Sequence, residues 1–385
     1  MRATADVVVV GGGAMGTSIA YHLAAAGAGR VVLLEREAAL GLGSTGRCAG
    51  GFRHQFSSEI NVRLSLESVR MIREFPTTHG LPLDVHVDGY LFLVRDEAAW
   101  SGYRAAAAMQ RGLGVRVDEL DAADVGALVP GLATDGIVGA TFGPDDGIAD
   151  PSGLTSGYAT LARRASVDIR LGVAATGVRV RPDGSAVEGV ETTAGSIHAP
   201  IVVNAAGVWA TALAATAGVA LPITSELRHV VVTSAFAGRP ERRTLVIDTS
   251  SMFYFHREGA GVLMGMPPLR PVVTFETAVD QRWIADELVP VAVSVLPGIE
   301  DAGVASAWAG LYEMTPDRHA ILGPVAGLDG LHLACGFSGH GFQHAPIVGK
   351  ILAELITGQP PTVDVSTLCL ERFARGEMIG ESHVV

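Results

Sequence analysis

Residues 6–16 read DVVVVGGGAMG, and no other stretch of the chain restricts its fold so tightly. The run of valines suits a strand covered on both faces. Gly11, Gly13 and Gly16 follow at the spacing G-x-G-x-x-G, with Ala14 and Met15 between the last two, and TSIAYHLAAAG continues as an alanine-rich helix that Gly27 ends. A second apolar strand, VVLLE, stops at Glu35. Strand, glycine turn, helix, strand and terminal acid within about thirty residues is the arrangement in which a pyrophosphate rests on a helix N-terminus and a carboxylate bonds ribose hydroxyls. The expected fold is therefore α/β, with a Rossmann-type domain that holds an adenine dinucleotide. An ordinary strand-to-helix turn is the alternative.

The fingerprint itself does not separate NAD from FAD. After Glu35 and Arg36, residues 41–54 (GLGSTGRCAGGFRH) form a second glycine- and hydroxyl-rich loop where a nicotinamide domain would start its next crossover helix. Such a loop, with Ser44, Thr45, Arg47, Cys48, Gly50 and Gly51, suits the wrapping of an extended dinucleotide. HAPIVVNAAGVWA (198–210) repeats the design of a strand followed by small residues, bringing Ala206, Gly207 and Trp209 close to a ligand, and Ala175 is counted with them. Helix-on-sheet packing would explain the same small residues. Near the end, GFSGHGFQH (336–344) sets glycines and two histidines before the apolar helix APIVGKILAELI. Glycines there let the backbone approach a ligand, and the helix offers free N–H groups.

At 385 residues the chain is longer than one compact core usually holds, so two interleaved domains are expected. The net charge of −12 is scattered, which excludes a nucleic-acid footprint and a polybasic membrane anchor and leaves small-molecule chemistry. Cys48, Cys335 and Cys369 are far apart, which suits a reducing cytoplasm rather than a disulfide framework or structural zinc. No charged leader precedes the first strand, so no signal peptide is expected. The stretch from Thr192 to Ser225 lacks Asp, Glu, Lys and Arg, but Pro200, Asn204, Gly207, Gly218 and Pro222 make it strand, turn and short helix rather than a membrane span.

Taken together, GGGAMG, Glu35, GSTGR, NAAGVWA, WAGLYEMTPDRHAILG (308–323) and GFSGHGFQHAPIVGK resemble the FAD-dependent amino-acid oxidase superfamily, most of all its sarcosine oxidase, sarcosine oxidase beta-subunit and dimethylglycine dehydrogenase branch. The resemblance implies FAD and a discontinuous FAD-binding domain formed by 1–80, 150–215 and 310–385. It also implies a substrate domain, 81–149 and 216–309, built on an antiparallel β-sheet. DVHVDGYLFLV (84–94), RHVVVTSAF (228–236) and MFYFHREGAGVLMGM (252–266) alternate as strands with one covered face do. By resemblance the last glycine turn, with Gly339, His340, Gly341, Phe342 and Gln343, closes over the flavin ring, and Gly310 lies alongside it.

The implied activity is oxidation of the C–N bond of a small amine or amino acid, secondary, N-methylated or cyclic in preference, to an imine. Arg53 matches the family's carboxylate-binding arginine, and a guanidinium suits bidentate capture of that group; Arg47 competes for the role. Tyr254 and His256 alternate with Phe253 and Phe255, so both polar rings share one strand face, either toward the substrate or as a satisfied core pair. His340 is expected beside the flavin or the substrate. With His344 it has the i, i+4 spacing of a metal pair, but no third ligand is identified and no metal is expected. Where monomeric sarcosine oxidases carry the flavin-linking cysteine this chain has Gly310, so noncovalent FAD is expected. Gln343 replaces a lysine that helps bind carboxylate. Leu263 stands where the oxidases keep a lysine that promotes reaction with oxygen, and Lys350 is the one lysine in the chain, which argues for a dehydrogenase or a slow oxidase. A flavin-carrying subunit that needs a partner chain and an NAD(P) dehydrogenase are the alternatives. The electron acceptor and the homo- or hetero-oligomeric state stay open.

Overall fold

In the computed structural model, residues 3–383 are described. The valine strand Val7–Val10 is buried throughout and pairs in parallel with Val31–Leu34 on one side and Ile201–Asn204 on the other. Asp168–Arg170 and Leu331–Cys335 extend the sheet in parallel, and Ile321–Pro324 closes one edge antiparallel. The helix Ala14–Ala25 lies along it between two neighbours, Pro151–Arg164 and Gly341–Ile356. Close contact with the last helix follows from small residues on both: a side chain on Gly349 would run into Ser18 Oγ at 2.2 Å. The first and last glycine turns thus follow strands separated in the sheet by Ile201–Asn204 alone, at the strand ends where α/β sheets present ligands.

The second large sheet has eight strands in the order Val304–Met314, Thr224–Thr233, Gly261–Met266, Phe253–Glu258, Leu245–Asp248, Tyr90–Val94, Gly139–Gly143, Asp118–Leu120. Its pairings are antiparallel except for Leu245–Asp248 with Tyr90–Val94. The expected strands form, with two differences. Alternation suggests one covered face, yet Tyr90–Val94 and Gly261–Met266 are buried at every position. Aromatic side chains such as Phe92 and Tyr103 pack on one side and Leu91, Leu93 and Met264 on the other, so apolar cover exists on both. Segment 84–94 is also two strands, Val85–His86 and Tyr90–Val94, parted at Gly89, whose φ of +88° needs glycine.

The uncharged stretch 192–225 contains Ile197–His198, Ile201–Asn204, the turn Gly207–Trp209 and the short helix Ala210–Ala215. Among the described residues no helix is long and apolar enough to cross a membrane.

Candidate active site

A cavity of about 700 Å³ runs from Gly11–Gly13, past Glu35 and Arg36, along Ser44–Ala49 and Ala205–Gly207, to Gly310–Glu313 and Gly339. The backbone forms its floor because side chains are excluded. Gly11 has φ +113°, and a Cβ there would meet Ala205 O at 2.3 Å; Gly339 has φ +97°, and a Cβ would meet the Tyr312 ring at 2.3 Å. The N-termini of the helices Ala14–Ala25 and Gly341–Ile356 both open onto it. Length, glycine floor and two helix ends suit an extended dinucleotide.

Of the expected cofactor residues, Gly11, Gly13, Ala14, Met15, Glu35 and Arg36 line the cavity at one end. Ser44, Thr45, Arg47, Cys48, Ala175, Ala206, Gly207 and Trp209 line its middle, and Gly310, Gly339, Gly341 and Phe342 its far end. Gly16 does not line it. A Cβ there would meet Gly11 O at 1.7 Å, so this glycine serves helix-to-turn packing. Glu35 accepts N–H bonds from Gly12 at 2.7 Å and Glu37 at 2.9 Å, which braces the turn, and the Arg36 guanidinium stacks on Trp209 at 3.6 Å. The 44–47 loop is docked on the long strand Val304–Met314: Ser44 Oγ donates to Leu311 O, Arg47 Nη1 to Ala309 O, and Trp308 Nε1 to Arg47 O. Arg47 is thereby committed to the loop. Burial pushes the Cys48 thiol up to about 11, so it is not a thiolate near neutral pH.

A smaller cavity of about 70 Å³ adjoins the large one and shares Cys48, Ala49, Tyr254, Tyr312, Gly339 and Phe342 with it. Its remaining wall holds Gly50, Gly51, Arg53, Tyr90, Leu245, Ser338, His340 and Gln343. Arg53 is 5% exposed, and its guanidinium lies 3.9 Å over the Phe56 ring. Nη1 donates to Gln55 O and Nη2 to His383 O. Both acceptors are carbonyls, and among the described residues no carboxylate forms an ion pair with it. A buried cation without a counter-ion is costly, and an anion admitted beside it would offset that cost. Gln343 fixes the arginine's backbone, accepting from Arg53 N at 3.0 Å and donating to Arg53 O at 3.2 Å.

His340 caps the helix Gly341–Ile356, is 6% exposed and leaves Nε2 without a partner. Burial, reinforced by the Arg53 charge, holds it well below the usual imidazole range, so it is neutral. Tyr254 faces both cavities, and burial keeps its phenol protonated. His256 follows the second of its two readings, that of a satisfied buried ring. It shares the strand with Tyr254 but lines neither cavity, and its ring nitrogens lie 3.0 Å from Arg257 O and 3.1 Å from Ala49 O. Through Ala49 O it holds the 44–53 loop.

Sequence reasoning missed several participants. Tyr90, Leu245 and Tyr312 complete the small cavity, and Arg228 lines the large one. Glu313 also faces the large cavity with Oε2 unpartnered, and burial raises its carboxyl to about 7. The segment Glu381–His383 had no motif to mark it, yet it reaches Arg53.

A family model described as FAD dependent oxidoreductase matches residues 6–355. Mouse mitochondrial sarcosine dehydrogenase is 30% identical over 385 residues, covering 97% of this chain but 42% of that protein. The chain thus spans less than half the length of the sarcosine dehydrogenases it matches. FAD-dependent oxidoreductase domain-containing protein 1 of Xenopus laevis is 31% identical, over 99% of this chain and 85% of that one. Among solved structures, L-proline dehydrogenase from P. horikoshii superposes with a TM-score of 0.91 at 30% identity, covering 98% of this chain and all of the other.

Proposed function

The chain belongs to the FAD-dependent oxidoreductase family, and from that premise we propose that it oxidises the C–N bond of a small secondary amino acid, cyclic or N-methylated, to its imine. The buried Arg53, a cation lacking a protein carboxylate at the wall of a small cavity joined to the dinucleotide cavity, carries this reading. FAD supplies the acceptor for the hydride equivalent. Arg53 receives the substrate carboxylate through the guanidinium donors its two carbonyl partners leave free, which fixes the carbon to be oxidised toward the flavin side. His340 and Tyr254 are both uncharged and so supply no anion that would stabilise the ammonium, which favours the neutral amine that hydride loss requires. Gln343, on the wall of the small cavity, keeps the arginine's backbone in place. A cavity of about 70 Å³ admits only a small molecule.

The FAD is held noncovalently: Gly310 offers no nucleophile, and Cys48 is a neutral thiol. Glycines 50 and 51, His340 and Gln343 stand at the boundary between flavin and substrate. The domain division 1–80, 150–215 and 310–385 against 81–149 and 216–309 fits the two large sheets, with the strand Val304–Met314 crossing between them. A cytoplasmic location fits three unpaired cysteines. The enzyme acts as a dehydrogenase or a slow oxidase, since by resemblance the buried Leu263 stands where the oxidases keep a lysine, and Lys350 pairs instead with Glu354 at 3.7 Å. Exposed Leu269, Val273 and Phe275, the last on the cavity rim, favour a second reading in which a partner chain takes the electrons.

Anaerobic bleaching of the bound flavin by a panel of L-proline, sarcosine, N,N-dimethylglycine and primary amino acids tests the substrate class. The secondary members should bleach it; bleaching by primary amino acids alone would contradict the reading. Admitting air should then reoxidise the flavin slowly.

A further inference from the structure

We propose that the segment Glu381–His383 is a strap that holds the Arg53 guanidinium at the small cavity, with Glu381 as the positioning residue that fastens it. The inference rests on the carboxylate-binding reading of Arg53 given above. Glu381 is 3% exposed, and its carboxylate is surrounded by donors. Ser57 donates through its backbone N–H at 2.8 Å and its hydroxyl at 2.5 Å, Ser58 through the same groups at 3.2 and 2.8 Å, and Asn61 Nδ2 at 3.1 Å. These donors sit at and just inside the N-terminus of the helix Glu59–His79, where an anion is favoured by the helix's free N–H groups. The same carboxylate accepts from His383 N at 3.0 Å, which folds the strap back so that His383 O meets Arg53 Nη2.

Two further contacts seat the strap. The His383 ring stacks on Tyr103, centroids 4.1 Å apart and 7° from parallel. Upstream, Arg372 forms a buried ion pair with Asp317 at 2.8 Å, and Asp317 O accepts from Glu381 N at 3.2 Å. The segment is therefore anchored at both ends, and Glu381 is the anchor nearest the arginine.

The physical consequence concerns a long side chain. Arginine has much rotamer freedom to lose, and a guanidinium already held by two carbonyls gives up little more when an anion arrives. Without the strap, Gln55 O is left as its one hydrogen-bond acceptor among the described residues, beside the rings of Phe56, Phe92 and Tyr90. Carboxylate binding then weakens, whereas groups that contact the rest of the ligand are undisturbed.

The test uses holoenzyme carrying Glu381→Ala or the milder Glu381→Gln, with Asn61→Ala as an independent loosening of the same anchor. Benzoate and neutral benzamide are titrated against the visible spectrum of the bound flavin, and FAD dissociation is measured alongside. The expected result is benzoate affinity about tenfold weaker in Glu381→Ala and less so in Glu381→Gln and Asn61→Ala. Benzamide and FAD affinities should stay unchanged, and with substrate KM should rise more than kcat falls. Unchanged benzoate affinity in all three variants, while Arg53→Met abolishes it, overturns the strap and leaves the arginine's role standing. Equal losses of benzoate, benzamide and FAD also overturn it, as a general structural defect. Benzoate binding that survives Arg53→Met removes the carboxylate reading itself.

Discussion

The strap makes a quantitative prediction about acid stability. Burial alone would raise the Glu381 carboxyl, but hydrogen bonds from Ser57 and from the backbone N–H groups of Ser57 and His383, with the His383 charge, hold it at about 2 against a usual 4.5. The folded value is the lower, so the group contributes stability that is complete above its unfolded pKa and lost as pH falls toward its folded one. At about 1.4 kcal/mol per pH unit, the gap from 4.5 to about 2 amounts to about 3 kcal/mol near neutral pH. Of this, about 1.4 kcal/mol should be gone by about pH 3.5, and most of the remainder by about pH 2. Glu381→Gln cannot titrate, so its stability lacks this component of the pH dependence. Urea unfolding of wild type and variant, at several pH values between about 6 and 3.5, should give two curves that converge by that 1.4 kcal/mol. Parallel curves would mean that Glu381 does not carry its charge in this buried setting, and the hydrogen-bond reasoning would be refuted.

Gly339→Ala should weaken FAD affinity by tenfold or more, because φ +97° and the Tyr312 ring at 2.3 Å leave no room for a methyl, costing about 2 kcal/mol; fluorescence titration of the flavin-free protein checks it. In flavin-free protein, Glu313→Gln should be more stable than wild type at alkaline pH and equal to it in acid. Burial raises this carboxyl from the usual 4.5 to about 7, so its charged form costs stability as pH climbs between those values, and denaturation below the lower and above the upper one reads the difference. Cys48 should alkylate slowly with iodoacetamide at mildly alkaline pH despite lining the cavity, and acid precipitation should release all flavin to the supernatant; flavin remaining on the chain would contradict noncovalent attachment.

The dinucleotide end was legible because its chemistry is local. Gly11, Gly13 and Glu35 lie in one short strand–turn–helix–strand unit, where spacing alone encodes which backbone groups face the ligand. The last glycine turn was legible by resemblance, and its packing beside the first follows from small residues such as Gly349 against Ser18. The substrate side was less so. Strand alternation put Tyr254 and His256 on one face, but it could not show that His256 would meet Ala49 O there instead of the cavity. Gln343 was read as standing where a lysine helps bind carboxylate; besides lining the small cavity, its amide pairs with the Arg53 backbone, a contact across 290 positions that no spacing encodes. Glu381 was invisible for the same reason, since an isolated acid in a glycine-rich tail has no periodicity, and its meaning comes from Ser57, Ser58 and Asn61 more than 300 residues away.

The carboxylate reading of Arg53 is most directly tested by rapid anaerobic flavin reduction with L-proline and with pyrrolidine, which lacks only the carboxyl group, in wild type and Arg53→Met. Loss of two charge-assisted hydrogen bonds, about 3 kcal/mol together, should lower the rate constant per substrate concentration for L-proline by about a hundredfold, with pyrrolidine nearly unaffected. If both substrates slow by the same factor, or neither does, Arg53 is not the carboxylate's partner.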